Sequence, residues 1–428
     1  MSVSNSNREV DDIRKTQGTH YGFIILMIGT LSVLGSLGLA RFGYTMVLPS
    51  MQKGLGLTNA ETGTIATGNF IGYLALALVG GFLASHYGPR RVIVTALFLV
   101  GGSLLLTATS RGFITAFFWR LVTGMGSGGS NVPVMGLLSA WFVREKRGRA
   151  AGLVVGGSSL GVILTGAFVP IILGHTGPEG WKAAWVALGM AALFIAVLAW
   201  IFLRNTPGEM GILPMGSPLE PVPPGEGADK KKGPPLSWGA VYRSSSVWHL
   251  AAIYASFGFS YIIYCTFFAK YLQDEIGYSV EKAGKIWQMV GWISIFCGLV
   301  WGWFSDRAGR KAALFVVSLL QGAAYMIFAL WRENAGFMIS AGIFGITAWS
   351  IPAIMAAACG DRLGPKLAPA ALGFITLFFG IAQAGGPAVA GLLADRAGSF
   401  VPAFLCAGAI AWLGALGSLF LKKEPESV

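Results

Sequence analysis

Charge is what this sequence has least of. Asp, Glu, Lys and Arg together make up 12% of 428 residues, about half the ~25% of a soluble domain. That excludes the two or three soluble domains such a length would otherwise suggest. Cysteine is scarce as well. Cys265, Cys297, Cys359 and Cys406 lie in or beside apolar stretches with no C-x-x-C spacing, so neither a disulfide framework nor a zinc site is expected. The four histidines are scattered, with His20 and His249 at span starts, His86 in a loop and His175 outside. No Walker-type glycine loop and no nucleophile triad occurs, so an enzyme is not expected, nor a cofactor or bound metal. The first twenty residues are polar and mixed in charge, without a short apolar core and small-residue cleavage site, which speaks against a cleaved signal peptide.

What abounds is apolar. Residues of the AVILMFWYC class make up 54% of the chain, and there are 61 glycines, the residue that lets helix backbones approach in lipid. Twelve membrane helices need ~240 mostly apolar positions, which this composition supplies. The apolar runs fall near 22–48, 64–84, 91–109, 112–140, 149–172 and 181–203, then near 247–272, 284–304, 312–331, 336–358, 370–393 and 400–421. The expected architecture is therefore an all-α membrane protein of twelve transmembrane helices in two groups of six. Between the groups, 204–246 holds eight of the nineteen prolines and the run Lys230, Lys231, Lys232, and reads as a solvated linker. The expected divisions are a tail (1–20), a first bundle (21–203), the linker (204–246), a second bundle (247–421) and a tail (422–428).

The net charge of +12 belongs to topology, with a lipid bilayer and no nucleic acid as partner. With a cytoplasmic N-terminus, 21 Lys and Arg fall on the cytoplasmic side and eight in outer loops (Lys53, Arg111, Lys182, Lys270, Lys282, Lys285, Arg332 and Arg396), and Arg41 and Arg120 lie within spans. Basic residues gather on the cytoplasmic side, so both termini are expected there. The halves also repeat. Gly81, Ser85, His86, Gly88, Pro89 and Arg90 align with Gly302, Asp306, Arg307, Gly309, Arg310 and Lys311 at an offset of 221, and the same offset carries Gly152 onto Gly373.

The segment Gly302-x-x-x-Asp306-Arg307-x-Gly309-Arg310-Lys311 resembles the loop signature of the major facilitator superfamily between helices 8 and 9. Gly81 to Arg91 is its degenerate twin between helices 2 and 3, and Arg120-Leu-Val-Thr-Gly124-Met-Gly126 matches the superfamily's helix 4 motif. The resemblance implies two pseudo-symmetric six-helix bundles and transport by alternating access. It also implies a cytoplasmic latch in which the motif carboxylate takes a helix N-terminus and basic partners. Here Ser85 replaces the acid of the first copy, so that latch is expected to be the weaker. A lookalike, Gly391-Leu-Leu-Ala-Asp395-Arg396-Ala-Gly398, falls outside and reads as a turn. Gly386-Pro387 onward resembles the helix 11 end of monocarboxylate transporters, and Arg204 to Gly216 resembles the helix 6 tail of oxalate/formate-type porters. The fifth span lacks the G-P-x-x-G-G run of drug/proton antiporters.

None of the nineteen acids sits mid-span, whereas Arg41 and Arg120 lie at similar depth, about six residues, or ~9 Å, from mid-span. Buried arginines without an acid favour an anionic solute, and a guanidinium fork suits a carboxylate. Arg41 reads first as a substrate contact, with snorkelling to the interface as its alternative. Arg120 reads first as structural, then as a ligand contact. Tyr44, Asn69, Tyr73, Asn131, Tyr261, Tyr264, Gln288 and Trp349 complete the candidate lining. Tyr254, Phe257, Tyr261, Tyr264 and Phe268 share one face of the seventh span, and Pro133 and Pro352 are expected to kink theirs. The expected function is secondary transport of a small mono- or dicarboxylate, by proton symport or exchange for a counter-anion, by a monomer. The membrane expected is a bacterial inner membrane or else that of an organelle. The alternatives are efflux of drug-like or amphipathic solutes, carriage of an inorganic anion or iron chelate, and a sensor that moves nothing.

Overall fold

The computed structural model describes residues 20–217 and 238–421. The Lys230–Lys232 run, both tails and the middle of the linker lie outside the described residues. Every long element is a helix, in the order α1 (Gly22–Leu55), α2 (Asn59–Tyr87), α3 (Pro89–Ala108), α4 (Phe113–Trp141), α5 (Arg144–Thr176) and α6 (Gly180–Phe202). After a short helix, Trp238–Arg243, follow α7 (Ser245–Glu275), α8 (Val280–Ser294 and Cys297–Ala308, bent by 43°), α9 (Arg310–Leu330), α10 (Asn334–Gly364), α11 (Leu367–Ala397) and α12 (Val401–Leu419). Ten of these are long and apolar enough to span a membrane, and the bent α8 pair makes eleven. The twelfth, α4, is diluted by Arg120 and by its Gly126-Ser-Gly-Gly-Ser-Asn131 run, because it turns polar groups toward other helices rather than toward lipid.

Local chemistry fixes the ends. Gly56 closes α1 in a left-handed conformation, and Thr58 with Glu61 forms a capping box at the start of α2. The twin motifs share their geometry: Gly88 and Gly309 each sit at φ 86°, so the 221-residue repeat extends to the backbone. Near Pro352, α10 breaks at Trp349 (φ −113°, ψ 16°), as a missing N–H predicts; α4 carries Pro133 within a continuous helix.

The two halves meet at one end of the molecule, where α1 joins α2, α7 joins α8 and α11 joins α12. There Thr45 Oγ1 donates to the Cys265 carbonyl (2.6 Å), Thr67 Oγ1 to the Ala384 carbonyl (2.6 Å), and Lys53 pairs with Asp274 (3.0 Å). Glycines make the close approach possible: Gly63 abuts the Pro387 carbonyl, and Gly166 of α5 faces Gly284 of α8. Toward the opposite end the same helices part. A Cβ added at Gly81, Gly152, Gly156, Gly298, Gly302 or Gly373 would meet nothing within 4 Å. The contacts named between the halves thus seal one end, and the opposite end, which holds the twin motif loops, is the splayed one by comparison.

Candidate functional site

The site begins with an irregularity in α1. Residues Leu34–Phe42 are π-helical, a pattern frequent at functional sites. Gly38 permits it, lying so near Gly161 of α5 that a Cβ would stand 2.7 Å from the Gly161 Cα. The i→i+5 pattern leaves carbonyls with spare acceptor capacity, and α4 supplies donors: Ser127 Oγ donates to the Ser36 carbonyl (2.6 Å) and Arg120 Nη1 to the Ala40 carbonyl (2.7 Å).

Arg41 stands in this segment beside a cavity of about 280 Å³, part of it open to solvent, whose lining includes Arg41, Tyr44, Asn69, Phe70, Arg120 and Cys265. The two arginines expected at equal depth therefore border one space. Their situations differ. Arg120 is 1% exposed, tied to α1 through Ala40, and packed 5.1 Å from the Tyr44 ring and 5.0 Å from that of Trp185. Arg41 is half-buried, with its guanidinium 4.8 Å from the Phe70 ring and 4.6 Å from the Tyr73 ring. Its Nε and Nη2 have no hydrogen-bond partner, and it joins no ion pair among the described residues.

The other candidates divide. Tyr44 donates to the Thr62 carbonyl (2.8 Å), and Asn69 Nδ2 to the Arg120 carbonyl (2.9 Å). Asn131 Nδ2 donates to the Tyr73 hydroxyl (2.9 Å). Trp349 donates to Ser159 Oγ (3.1 Å), which also accepts from Ser294 (2.8 Å), and its ring lies 5.1 Å from Phe42 and 6.4 Å from Tyr261. Gln383 of α11, which the sequence did not single out, donates to the Tyr261 hydroxyl. Of the candidates, Arg41, Tyr44, Asn69 and Arg120 line the cavity; Tyr73, Asn131, Tyr261, Gln288 and Trp349 lie outside its lining, and so does Tyr264. It is buried in the second half, bonded to Ser340 (2.9 Å) and packed on Tyr325, Phe328 and Phe344. The supposed single face of α7 thus splits: Tyr254, Phe257 and Tyr261 stack on Phe379, while Tyr264 and Phe268 enter the bundle core. Gln288 is half-buried beside Gly166 at the α5–α8 contact.

Two sequence expectations need correction. Lys270 does not lie in an outer loop, because α7 continues to Glu275. Lys270 is 5% exposed and bonds Asp274 (2.6 Å), so unlike the arginines it has its acid. The lookalike motif is more than a turn. Gly398 does turn the chain (φ 67°), but the Asp395 carboxylate accepts from the backbone N–H of Asn59 (2.9 Å) and Ala60 (2.7 Å), clamping the N-terminus of α2 across the sealed end. A pairing expected of the twin motifs is thus made by the third copy.

At the splayed end, Arg310 joins Asp306 (2.5 Å) and Asp361 (2.8 Å), linking α8, α9 and α10 within the second half, and Arg307 covers the Trp303 ring at 4.3 Å. In the degenerate copy, Ser85 bonds only the Phe82 carbonyl (2.8 Å), while Arg90 reaches the Trp200 carbonyl (2.7 Å) and its backbone N–H reaches Asn205 (2.9 Å). Gly81 and Gly302 face open space.

Known proteins match this chain over most of its length. A "Probable sulfoacetate transporter" of Cupriavidus necator is 25% identical over 398 residues, covering 89% of each chain. The hexuronate transporter of Bacillus subtilis is 27% identical over 407 residues, covering 92% of each. Among solved structures, a bacterial homologue of the human lysosomal transporter Spinster, inward-facing and unoccupied, superimposes with a TM-score of 0.75 at 16% identity. It covers 96% of this chain and 100% of its own. The model of the Major Facilitator Superfamily matches residues 30–334 and 289–428. Two six-helix halves related by a repeated loop motif, closed at one end over a cavity and matched by the family's model from residue 30 to residue 428, make this chain a membrane transporter belonging to the Major Facilitator Superfamily.

Proposed function

We propose that the protein carries small organic anions, with Arg41 as the group that holds the anion. The observation behind this reading is the Arg41 guanidinium itself: beside the cavity, with two N–H donors unpartnered and, among the described residues, no carboxylate in an ion pair with it. A buried cation costs several kcal/mol unless something compensates it, and a bound carboxylate or sulfonate does so through two parallel hydrogen bonds. The names of the two relatives, for sulfoacetate and hexuronate, support an acidic solute. Arg120 acts in this reading as the structural partner that holds the π segment and so aims Arg41.

The basic-residue asymmetry supports cytoplasmic termini, and the bacterial relatives support an inner membrane. The splayed end then faces the cytoplasm. A proton or a counter-anion completes the cycle, and a monomer suffices because both halves of the cavity come from one chain.

Uptake of labelled carboxylates, sulfonates, phosphate and a cationic drug into proteoliposomes tests the reading. A small organic acid should be the transported class. Arg41→Lys, which keeps charge but loses the fork, should weaken its binding by ~1–3 kcal/mol, and Arg41→Ala by more. Unchanged acid affinity in a folded Arg41→Ala variant would return Arg41 to an interfacial anchor.

A further inference from the structure

The polar atoms around the cavity are not all donors. Asn69 is 1% exposed, and its Nδ2 is committed to the Arg120 carbonyl at 2.9 Å. Because a carbonyl only accepts, the NH2 must lie on that side, and the orientation of the amide is fixed by chemistry. Its other atom, Oδ1, is buried without any partner, as are Arg41 Nε, Arg41 Nη2 and Arg120 Nε. All three residues line the same cavity. Nor does a free Arg41 N–H close the gap: the guanidinium lies against the Phe70 and Tyr73 rings, which restrains its reach.

A buried acceptor left without a hydrogen bond is costly, and native proteins leave few of them. The set here is three donors and one acceptor. A bare carboxylate satisfies donors only. A solute that fills the whole set brings an anionic group together with a hydroxyl that can donate. Arg41 and Asn69 line one cavity, so the donor sought lies close to the carboxylate, and the nearest such hydroxyl is on the adjoining carbon.

We infer that the site selects 2-hydroxy acids over the corresponding unsubstituted acids, with Asn69 Oδ1 accepting from the hydroxyl while Arg41 holds the carboxylate. This rests on the anion reading above and adds to it a specificity-determining residue. Such a site discriminates strongly, because the analogue lacking the hydroxyl leaves Asn69 Oδ1 buried and unpaired.

The test uses the purified full chain and calorimetric binding of three matched pairs: glycolate and acetate, lactate and propionate, gluconate and 2-deoxygluconate. The hydroxy acid should bind about tenfold more tightly than its partner. In Asn69→Leu, which removes both polar atoms at similar volume, that ratio should fall to near one, whatever the change in absolute affinity. Equal binding within the wild-type pairs overturns the inference and leaves the anion reading standing. A ratio that survives in Asn69→Leu overturns it too, since the hydroxyl then has another partner. If no acid of any pair binds, both readings fall together. Should Asn69→Leu not fold, the wild-type pairs still decide.

Discussion

Neutralising one carboxylate should unseal the closed end. Asp395 accepts two backbone N–H groups from the first turn of α2, on the far side of the boundary between halves. A hydrogen bond to a charged group contributes ~1.5–3 kcal/mol and a helix N-terminus a further ~0.3–1 kcal/mol. Asp395 is exposed, so solvent screening reduces both. Asparagine keeps one acceptor oxygen and turns an NH2 toward the other N–H. The net loss in Asp395→Asn is then about 1.5 kcal/mol, or about tenfold in the balance between sealed and open forms. An open fraction of about 5% would rise to about a third under that shift. Spin labels at Arg111 and Lys285, both exposed and on opposite halves at this end, would read the change as a second, longer distance in pulsed electron resonance, with the native cysteines replaced. Affinity for the anion at the intact site should hardly change. An unaltered distance distribution, with transport at wild-type rate, would refute the view that Asp395 holds the halves together.

Three further outcomes are expected. Asp306→Asn should reduce turnover far more than Ser85→Ala, since Arg310 holds Asp306 and Asp361 together whereas Ser85 reaches only its own helix; equal transport rates in both variants would make these loops signals of topology alone. Arg120→Ala removes the donor to Ala40 and should destabilise the protein by ~2–4 kcal/mol, read as a fall in Tm, whereas Arg41→Ala should leave Tm unchanged or raised. Reporter fusions after Leu236 and Val428 should both report a cytoplasmic location, and a periplasmic signal at either would invert the assignment of ends.

Much of the frame was legible because lipid imposes it. A span must be long and apolar, and a duplicated half must repeat its turns, so the helices and the Gly88/Gly309 pair could be read directly. Arg41 and Arg120 stood out for the same reason, as charges where charge is expensive. The illegible features depend on partners distant in the chain. Asp395 looked like a turn residue because its partner N–H groups lie 335 and 336 positions away. Lys270 looked like an outer-loop residue because it falls at the end of the apolar run, although α7 continues through its acid, Asp274. Tyr264 follows Tyr261 by one turn, and only the packing of α9 and α10 turns it into the core of the second half instead of onto Phe379. Gln383 carried no signal, since a lone amide in an apolar span has no period or motif.

The π segment of α1 has a consequence for insertion and deletion. Each residue of a regular helix turns the chain by about 100°, so a length change usually rotates everything beyond it out of register. A π turn already contains one residue more than the regular ladder requires. Removing a single residue within Leu34–Phe42 would let the segment relax to i→i+4 bonding, with the rest of α1 kept against its neighbours. What would change is the angle at which Arg41 leaves the helix axis, and the carbonyls now shared with Ser127 and Arg120 would return to the backbone. Such a chain would keep its twelve helices while its cation pointed away from the cavity, so that foldedness and solute recognition part company at a single codon.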